Sequence, residues 1–355
     1  MPSLPDADLD HVLAHTRGLF EPLRGRNIFV TGGTGFFGRW LLESFAFIDE
    51  RLSLGARMTV LTRDPAAFAA KAPALAAHPA IHFIRGDIRQ LSRELVLPQL
   101  PTGHSGQFPF FIHAAMDSVG QEDSISTFDT IVTGTRAALD FAAASETERF
   151  LFTSSGAVYG PQPSDITHVP ETCLGAPDCA MPGSAYGEGK RAAEFLCAAY
   201  HARHAALEPV IARCFAFVGP GLPLDAHFAI GNFIRDALRG GPIAIGGDGT
   251  PYRSYLYAAD LAIWLWTLLF RGQPARPYNV GSREDVTILA LASTVAECFP
   301  KKIDVTLARK APPGIPPFRY VPDTGRAAGE LGLAALIPLK EAILRTAAWH
   351  SSTNP

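Results

Sequence analysis

The stretch VTGGTGFFG, residues 30–38, constrains this chain more than any other. Apolar residues lead into it in NIFV (27–30), and GRWLLESFAFIDE (38–50) follows with apolar residues at helical spacing. That order describes a buried strand passing through a glycine turn into a helix. Gly32, Gly35 and Gly38 recur every three residues. Glycine lets such a turn tighten, lets backbone N–H groups reach a pyrophosphate, and lets the helix pack close with its N-terminus facing the anion. A purely structural turn produces glycines too, but a strand before and a helix after are the context that the dinucleotide fingerprint requires. The turn is therefore read as a dinucleotide site.

Further short apolar runs follow: RMTVLT (57–62), IHFIRGD (81–87), PFFIHAA (109–115) and RFLFTSS (149–155). Helical stretches separate several of them, as in TFDTIVTGTRAALDFAAASE (127–146). Alternation of this kind predicts an α/β protein with a Rossmann-type, doubly wound parallel sheet and right-handed crossovers. With 47% hydrophobic and 18% charged residues, the chain has the makings of a well-packed core. Beyond residue 215 glycine and proline accumulate, as in GGPIAIGGDGTPYRS (240–254) and APPGIPP (311–317). The expected division is an N-terminal helical extension over 1–24, its helix at 8–20 packed outside the main fold, and a dinucleotide-binding domain over 25–215. Residues 216–350 mainly form a smaller substrate-binding lobe over the carboxyl edge of the sheet. The chain is expected to return to that sheet around PYNVGS (277–282), within about 255–290.

Several classes of function are excluded. A net charge of -3 offers no basic footprint for nucleic acid, and no basic amphipathic stretch suits a membrane surface. The most apolar run, LAIWLWTLLF (261–270), is too short to span a bilayer and follows Asp260, so it is read as a buried helix. The acidic start, MPSLPDADLD, lacks the apolar core of a secretory leader, and a cytoplasmic location is expected. Cys173, Cys179, Cys197, Cys214 and Cys298 form an odd set with no C-x-x-C pair, which suits a reducing compartment and mostly buried thiols. His201 and His204 have no acidic or cysteine partner at ligand spacing, so no metal is expected.

The second strand bears on which dinucleotide binds. An acid at its end holds a ribose diol, and here Thr62 stands in that place with Arg63 after it. A guanidinium grips a 2′-phosphate, so NADP(H) is favoured, while Asp64, turned inward, restores an NAD(H) reading. Asp87 in GDI (86–88) is placed near the adenine amino group. In AYGEGKRAAEFLCAAY (185–200), Tyr186 and Lys190 are four apart and share a helix face. An ammonium beside a phenol stabilises the phenolate, and a tyrosine so tuned gives or takes a proton as a hydride moves. Ser154 and Ser155 end the strand of FTSSGAVYG (152–160).

Together TGGTGFFG, GDI, IHAA, TSSGAVYG, YGEGK, RCFAFVGPG, YRSYLYAADLA and YNVGS make the chain, from 25 to 350, similar to the extended short-chain dehydrogenases/reductases. It resembles their NAD-dependent epimerase/dehydratase family, which works on nucleotide sugars; from AYGEGKRAAE onward it is particularly similar to the UDP-glucuronate decarboxylases and their neighbours. The resemblance implies that Ser155 holds the sugar oxygen, Tyr186 is the acid/base, and Lys190 binds the nicotinamide ribose and tunes that tyrosine. It adds Phe36, Phe37, Ile88, His113, Ala114 and Ala115 to the cofactor contacts, Arg253 and Arg319 as clamps on a nucleotide-sugar diphosphate, and Asn232 near the nucleotide. It also implies a homodimer through a four-helix interface built from the 127–146 and 185–204 helices.

In that family the 4,6-dehydratases carry an Asp-Glu pair directly after the hydroxyl, and the decarboxylases a Glu two positions after it. Here those positions are Gly156 and Ala157. The expectation is therefore an NADP(H)-dependent reductase of a 4-keto-6-deoxy nucleotide sugar, with dehydratase and decarboxylase activity disfavoured. The alternative is a 4-epimerase that retains NAD, and the minor alternative a catalytically idle binding subunit, which the intact Ser-Tyr-Lys set argues against.

Overall fold

Ile28, Phe29 and Val30 are fully buried in a computed structural model that describes residues 3–115, 123–226 and 228–353. Burial on both faces explains why this strand shows a continuous apolar run instead of alternation. It is β1 (Asn27–Thr31) of a seven-stranded sheet whose other members are β2 (Arg57–Thr62), β3 (Ile81–Arg85), β4 (Phe110–His113), β5 (Arg149–Ser155), β6 (Glu208–Cys214) and β7 (Pro277–Val280). Their spatial order is β7-β6-β5-β4-β1-β2-β3. The pairs β1–β2, β2–β3, β1–β4, β4–β5 and β5–β6 are all parallel. Strand order reverses between β1 and β4, so the carboxyl ends of these two strands frame the crevice where doubly wound sheets take ligands.

The doubly wound architecture read from the alternation is thus present. The strand β6 was not anticipated. Pro209 near its start lacks an N–H and weakens the strand signal of the apolar run PVIA (209–212).

By contact the described residues divide into two units. The first comprises residues up to 160, 176–214 and 262–278; the second comprises 161–175, 215–261 and 279 onward. In the first unit the helices include α2 (Phe36–Leu52), α3 (Ser124–Ala144) and α4 (Ala185–Arg203), with α1 (Asp6–Thr16) packed against α2. The Asp123 carboxylate starts α3 by accepting from the N–H groups of Ile125 and Ser126 at 2.9 and 3.0 Å. The N-terminal segment does not stand outside this unit. Its helix stops at Thr16, four residues short of the expected end, and Leu9, Val12 and Leu13 are buried. Phe20 then meets Trp266 and Phe270 edge-on, with centroids 5.2 and 5.5 Å apart. Covering those rings removes a large apolar area from water, and that draws the segment in.

The run at 261–270 is the buried helix expected, within Ala258–Arg271, with Trp264, Leu265 and Trp266 almost wholly covered. Among the described residues no helix is long and apolar enough to cross a membrane. The cysteines divide differently from the expectation: Cys197 and Cys214 are buried, Cys173 and Cys298 half-buried, and Cys179, on its proline-rich loop, is exposed.

The second unit is built from short pieces, as its glycine and proline content dictates. Tyr252–Ser254 is the middle strand of three, antiparallel to Asp285–Thr287 and parallel to Arg319–Tyr320. Two-stranded parallel ribbons join Phe217–Val218 to Leu256–Tyr257 and Ile243–Ile245 to Val305–Leu307. Helices at Ala229–Leu238 and Ile288–Glu297 bury Ile230, Phe233, Ile234, Leu291 and Val295.

An aromatic cluster holds the first unit. Phe29 lies 5.0 Å from Phe108, 5.1 Å from Phe111 and 4.8 Å from Phe141, centroid to centroid. Phe29→Ala should therefore lower stability by about 3–5 kcal/mol, the range for emptying a buried phenyl site. Urea unfolding checks this: the midpoint should fall with an unchanged slope.

Candidate active site

The turn after β1 is possible only because of its glycines. Gly32 has φ +74°, and a Cβ built there would overlap the Ala114 carbonyl at the end of β4. A Cβ on Gly38 would overlap the Gly32–Gly33 backbone. The result is a cleft at the carboxyl ends of β1 to β4, lined by Thr31, Gly32, Thr34, Leu61, Thr62, Arg63, Gly86, Asp87, Ile88, Ala115 and Thr130. Gly32, Thr62, Arg63, Asp87, Ile88 and Ala115 were expected here from the sequence. Thr31, Thr34, Leu61, Gly86 and Thr130 were not. Thr130 carries a signal visible only in three dimensions: its hydroxyl is buried without a hydrogen-bond partner. An unpaired polar atom and a turn stripped of side chains are what a polar, anionic cofactor fits.

Not every expected contact faces this cleft. Gly35, Phe36, Phe37 and Gly38 form the turn and the start of α2, with the two phenyl rings 6.0 Å apart. His113 is buried beneath it. One ring nitrogen is 2.8 Å from the Thr31 hydroxyl and the other 3.1 Å from that of Thr135, so the ring ties β1, β4 and α3 together. Burial, and then the nearby Lys190 charge, lower its pKa to about 3, keeping it neutral. The Asp87 carboxylate is held by Arg89 at 2.8 Å, which keeps it below the usual carboxylate range, with a smaller contribution from Arg63. Asp64 is turned to the next helix, accepting from the Ala67 N–H at 3.0 Å.

At the end of β5 the structure gathers the hydroxyl, phenol and ammonium. Ser155 is buried, and its Oγ accepts from the Ala157 N–H at 3.1 Å. Lys190 on α4 is buried and donates from Nζ to the Thr153 carbonyl at 2.7 Å, two residues before Ser155. The same Nζ lies 5.9 Å from the centroid of the Tyr186 ring, one helical turn away. Two glycines of YGEGK make this approach possible: a Cβ on Gly187 would stand 2.8 Å from the Ala157 carbonyl, and one on Gly189 3.2 Å from Ile131 of α3. Burial lowers the Lys190 pKa to about 8, against the opposing effect of nearby groups.

The expected diphosphate contacts lie in the second unit. Arg253 donates to the Tyr252 carbonyl at 2.8 Å and stands over the rings of Phe318 and Tyr320 at 5.3 and 5.7 Å. No carboxylate pairs with it among the described residues, and burial pushes its pKa down. Arg319 is committed elsewhere: it pairs with Asp285 at 2.7 Å and stacks 3.9 Å over Tyr252. Asn232 accepts from Arg235 at 3.1 Å, and neighbouring Phe233 is core. Among the described residues no cluster suits a metal ion.

The model of the NAD dependent epimerase/dehydratase family matches residues 28–281. The UDP-glucuronic acid decarboxylase 5 of Arabidopsis thaliana is 33% identical over 62% of this chain and 62% of its own, so this match spans about three fifths of that relative. The dTDP-glucose 4,6-dehydratase of Streptomyces niveus is 26% identical over 91% of this chain and 92% of its own. In fold, the UDP-glucuronic acid 4-epimerase of Bacillus cereus in complex with NAD superposes with TM-score 0.75 at 22% identity, covering 93% of this chain and 100% of that one.

These findings correct the expectation of a net ketoreductase with decarboxylases and dehydratases disfavoured: such enzymes are the relatives. That ranking rested on Gly156 and Ala157, yet a proton donor is defined by its place in space and not by its distance along the chain from Ser155. The preference for NADP finds no support in a family described as NAD-dependent. Since a Cβ at Gly32 must displace the β4 backbone, Gly32→Ala should abolish binding of nicotinamide dinucleotides by calorimetry and lower the melting temperature. The glycine cradle, the Ser155-Tyr186-Lys190 grouping and the match over 28–281 agree, and the chain belongs to the NAD-dependent epimerase/dehydratase family of extended short-chain dehydrogenases/reductases.

Proposed function

We propose that this protein is a nucleotide-sugar 4-epimerase working with a retained nicotinamide dinucleotide. The observation that carries the reading is the buried Lys190 ammonium held beside both the Tyr186 ring and the strand end bearing Ser155. A dinucleotide held through its phosphates by the glycine turn would supply, at its nicotinamide, a hydride acceptor that the cycle regenerates. Tyr186 removes the hydroxyl proton of the sugar carbinol and returns it after the ketone has turned its other face. Ser155 holds that oxygen through both halves, and Lys190 stabilises the phenolate. This sequence uses a hydroxyl, a phenol and an ammonium, and they are the groups the site holds. Arg253, a half-buried guanidinium among aromatic rings, suits a diphosphate.

NAD is the cofactor proposed, because a cycle that ends with its dinucleotide unchanged needs no exchange. Arg63 in the cleft is the specific observation favouring a second reading, NADP, through its fit to a 2′-phosphate. Dimerisation is proposed through α3 and α4, where Ile125, Phe128 and Phe195 leave large apolar side chains in solvent.

Incubation with UDP-glucose, UDP-glucuronate and dTDP-glucose tests the activity, with products read by proton NMR and the dinucleotide identified after denaturation. A C4 epimer without net change in nicotinamide absorbance is expected; release of carbon dioxide or loss of water would replace epimerisation with the relatives' reactions. Tyr186→Phe should cut turnover by roughly 10²–10⁴ while leaving dinucleotide binding intact. Phe195→Glu should turn a dimer into a monomer by light scattering, and a monomeric wild type would refute the interface.

A further inference from the structure

Tyr186, Lys190 and Glu194 follow one another at four-residue intervals along α4 and so share one stripe of the helix. The Glu194 carboxylate accepts from the Ser154 hydroxyl at 2.6 Å, next to Ser155. It also accepts from Arg213 of β6, from Nε at 3.0 and 3.2 Å and from a terminal nitrogen at 2.7 Å. Arg213 in turn donates to the Tyr159 hydroxyl at 2.9 Å, at the end of the turn that leaves Ser155. Both side chains of this ion pair are nearly buried, at 14% and 12% exposure. Removing two charges from water costs several kcal/mol per ion before their attraction offsets it. The proposed chemistry leaves this arrangement unexplained.

We infer that Glu194 is a positioning residue: its carboxylate fixes Ser154 beside the reactive hydroxyl and, one helical turn along the same stripe, presents a negative charge to the buried Lys190 ammonium. The inference rests on the functional reading above. The surroundings of Lys190 support it element by element. On α4 stand Tyr186, Glu194 and Cys197, on β4 His113, on β5 the Thr153 carbonyl and the Phe152 ring, and on β6 Cys214 with Arg213 paired to Glu194. Burial raises the Cys214 thiol to about 12 and the Cys197 thiol further, so both are uncharged at neutral pH, as is His113. Glu194 therefore remains as the carboxylate that favours the charged lysine against its burial.

The test reads Lys190 directly. Protein labelled with ¹³C at lysine Cε is titrated by NMR, with the signal assigned by its loss in Lys190→Met. The wild-type midpoint is expected near about 8. Glu194→Gln should lower it by about 1 on the pH scale, the effect of losing one nearby opposite charge, and move the alkaline limb of kcat down with it, with KM little changed. Ser154→Ala removes the hydroxyl bond but keeps the charge, and should lower kcat with the midpoint unmoved. If Glu194→Gln, with Arg213 left unpaired, fails to fold, the double variant Glu194→Gln, Arg213→Met is compared with Arg213→Met alone, and the double variant is expected to have the lower midpoint. An unmoved midpoint in a folded variant lacking Glu194, or an equal fall in Ser154→Ala, would overturn the inference. A wild type without turnover on any nucleotide sugar would count against the functional reading, while the midpoint, read without substrate, still decides the role of Glu194.

Discussion

Two stretches of backbone, the turn at Gly32 and the end of β4 at Ala114, pass so close that no side chain fits between them. That approach is the constraint from which the site follows. It brings the carboxyl ends of β1 and β4 together where the strand order reverses, and it leaves a floor of main-chain groups instead of side chains. A floor of this kind suits an anion, because N–H dipoles supply attraction without the bulk of a cation. His113, neutral and bonded to the hydroxyls of Thr31 and Thr135, braces the same two strands from below.

A second constraint operates at the end of β5. A charged lysine is placed where water does not reach it, and the structure meets that cost with a carbonyl, two aromatic faces and a carboxylate one helical turn along. The arrangement requires α4 to lie close against the turn after Ser155 and against α3, and Gly187 and Gly189 permit it. Backbone packing and catalytic electrostatics are thus one problem here. A bulkier residue between Tyr186 and Lys190 would push the helix off and loosen the ammonium's hold on the Thr153 carbonyl.

Much of the first unit was legible in the residues because parallel strands buried on both faces advertise themselves as apolar runs. NIFV, RMTVL and RFLF did so, and VTGGTGFFG declared its turn. The strand β6 was hidden by Pro209, which interrupts the strand signal near its start. The reaction was misjudged for a different reason. The two small residues after Ser155 describe one local stretch of chain, whereas decarboxylases and a dehydratase are among the relatives. The second unit was legible only as a region of glycine and proline, since its two- and three-residue strands are too short to carry a period.

By itself the amino-acid order made the parallel sheet, the glycine turn and the Tyr186-Lys190 spacing legible, because apolar runs, a glycine turn and a four-residue interval are local patterns, while Ser155 joined that pair only through the family resemblance. The tertiary structure alone decided the rest. It turned Asp64 away to cap a helix, paired Arg319 with Asp285 while leaving Arg253 without a carboxylate among the described residues, left the Thr130 hydroxyl unpaired at the cleft, and set Glu194 between Ser154 and Arg213. Each of these concerns which partner a polar group finds. That choice is made by packing between elements distant in the chain, where burial makes an unmet hydrogen bond or charge too costly to leave.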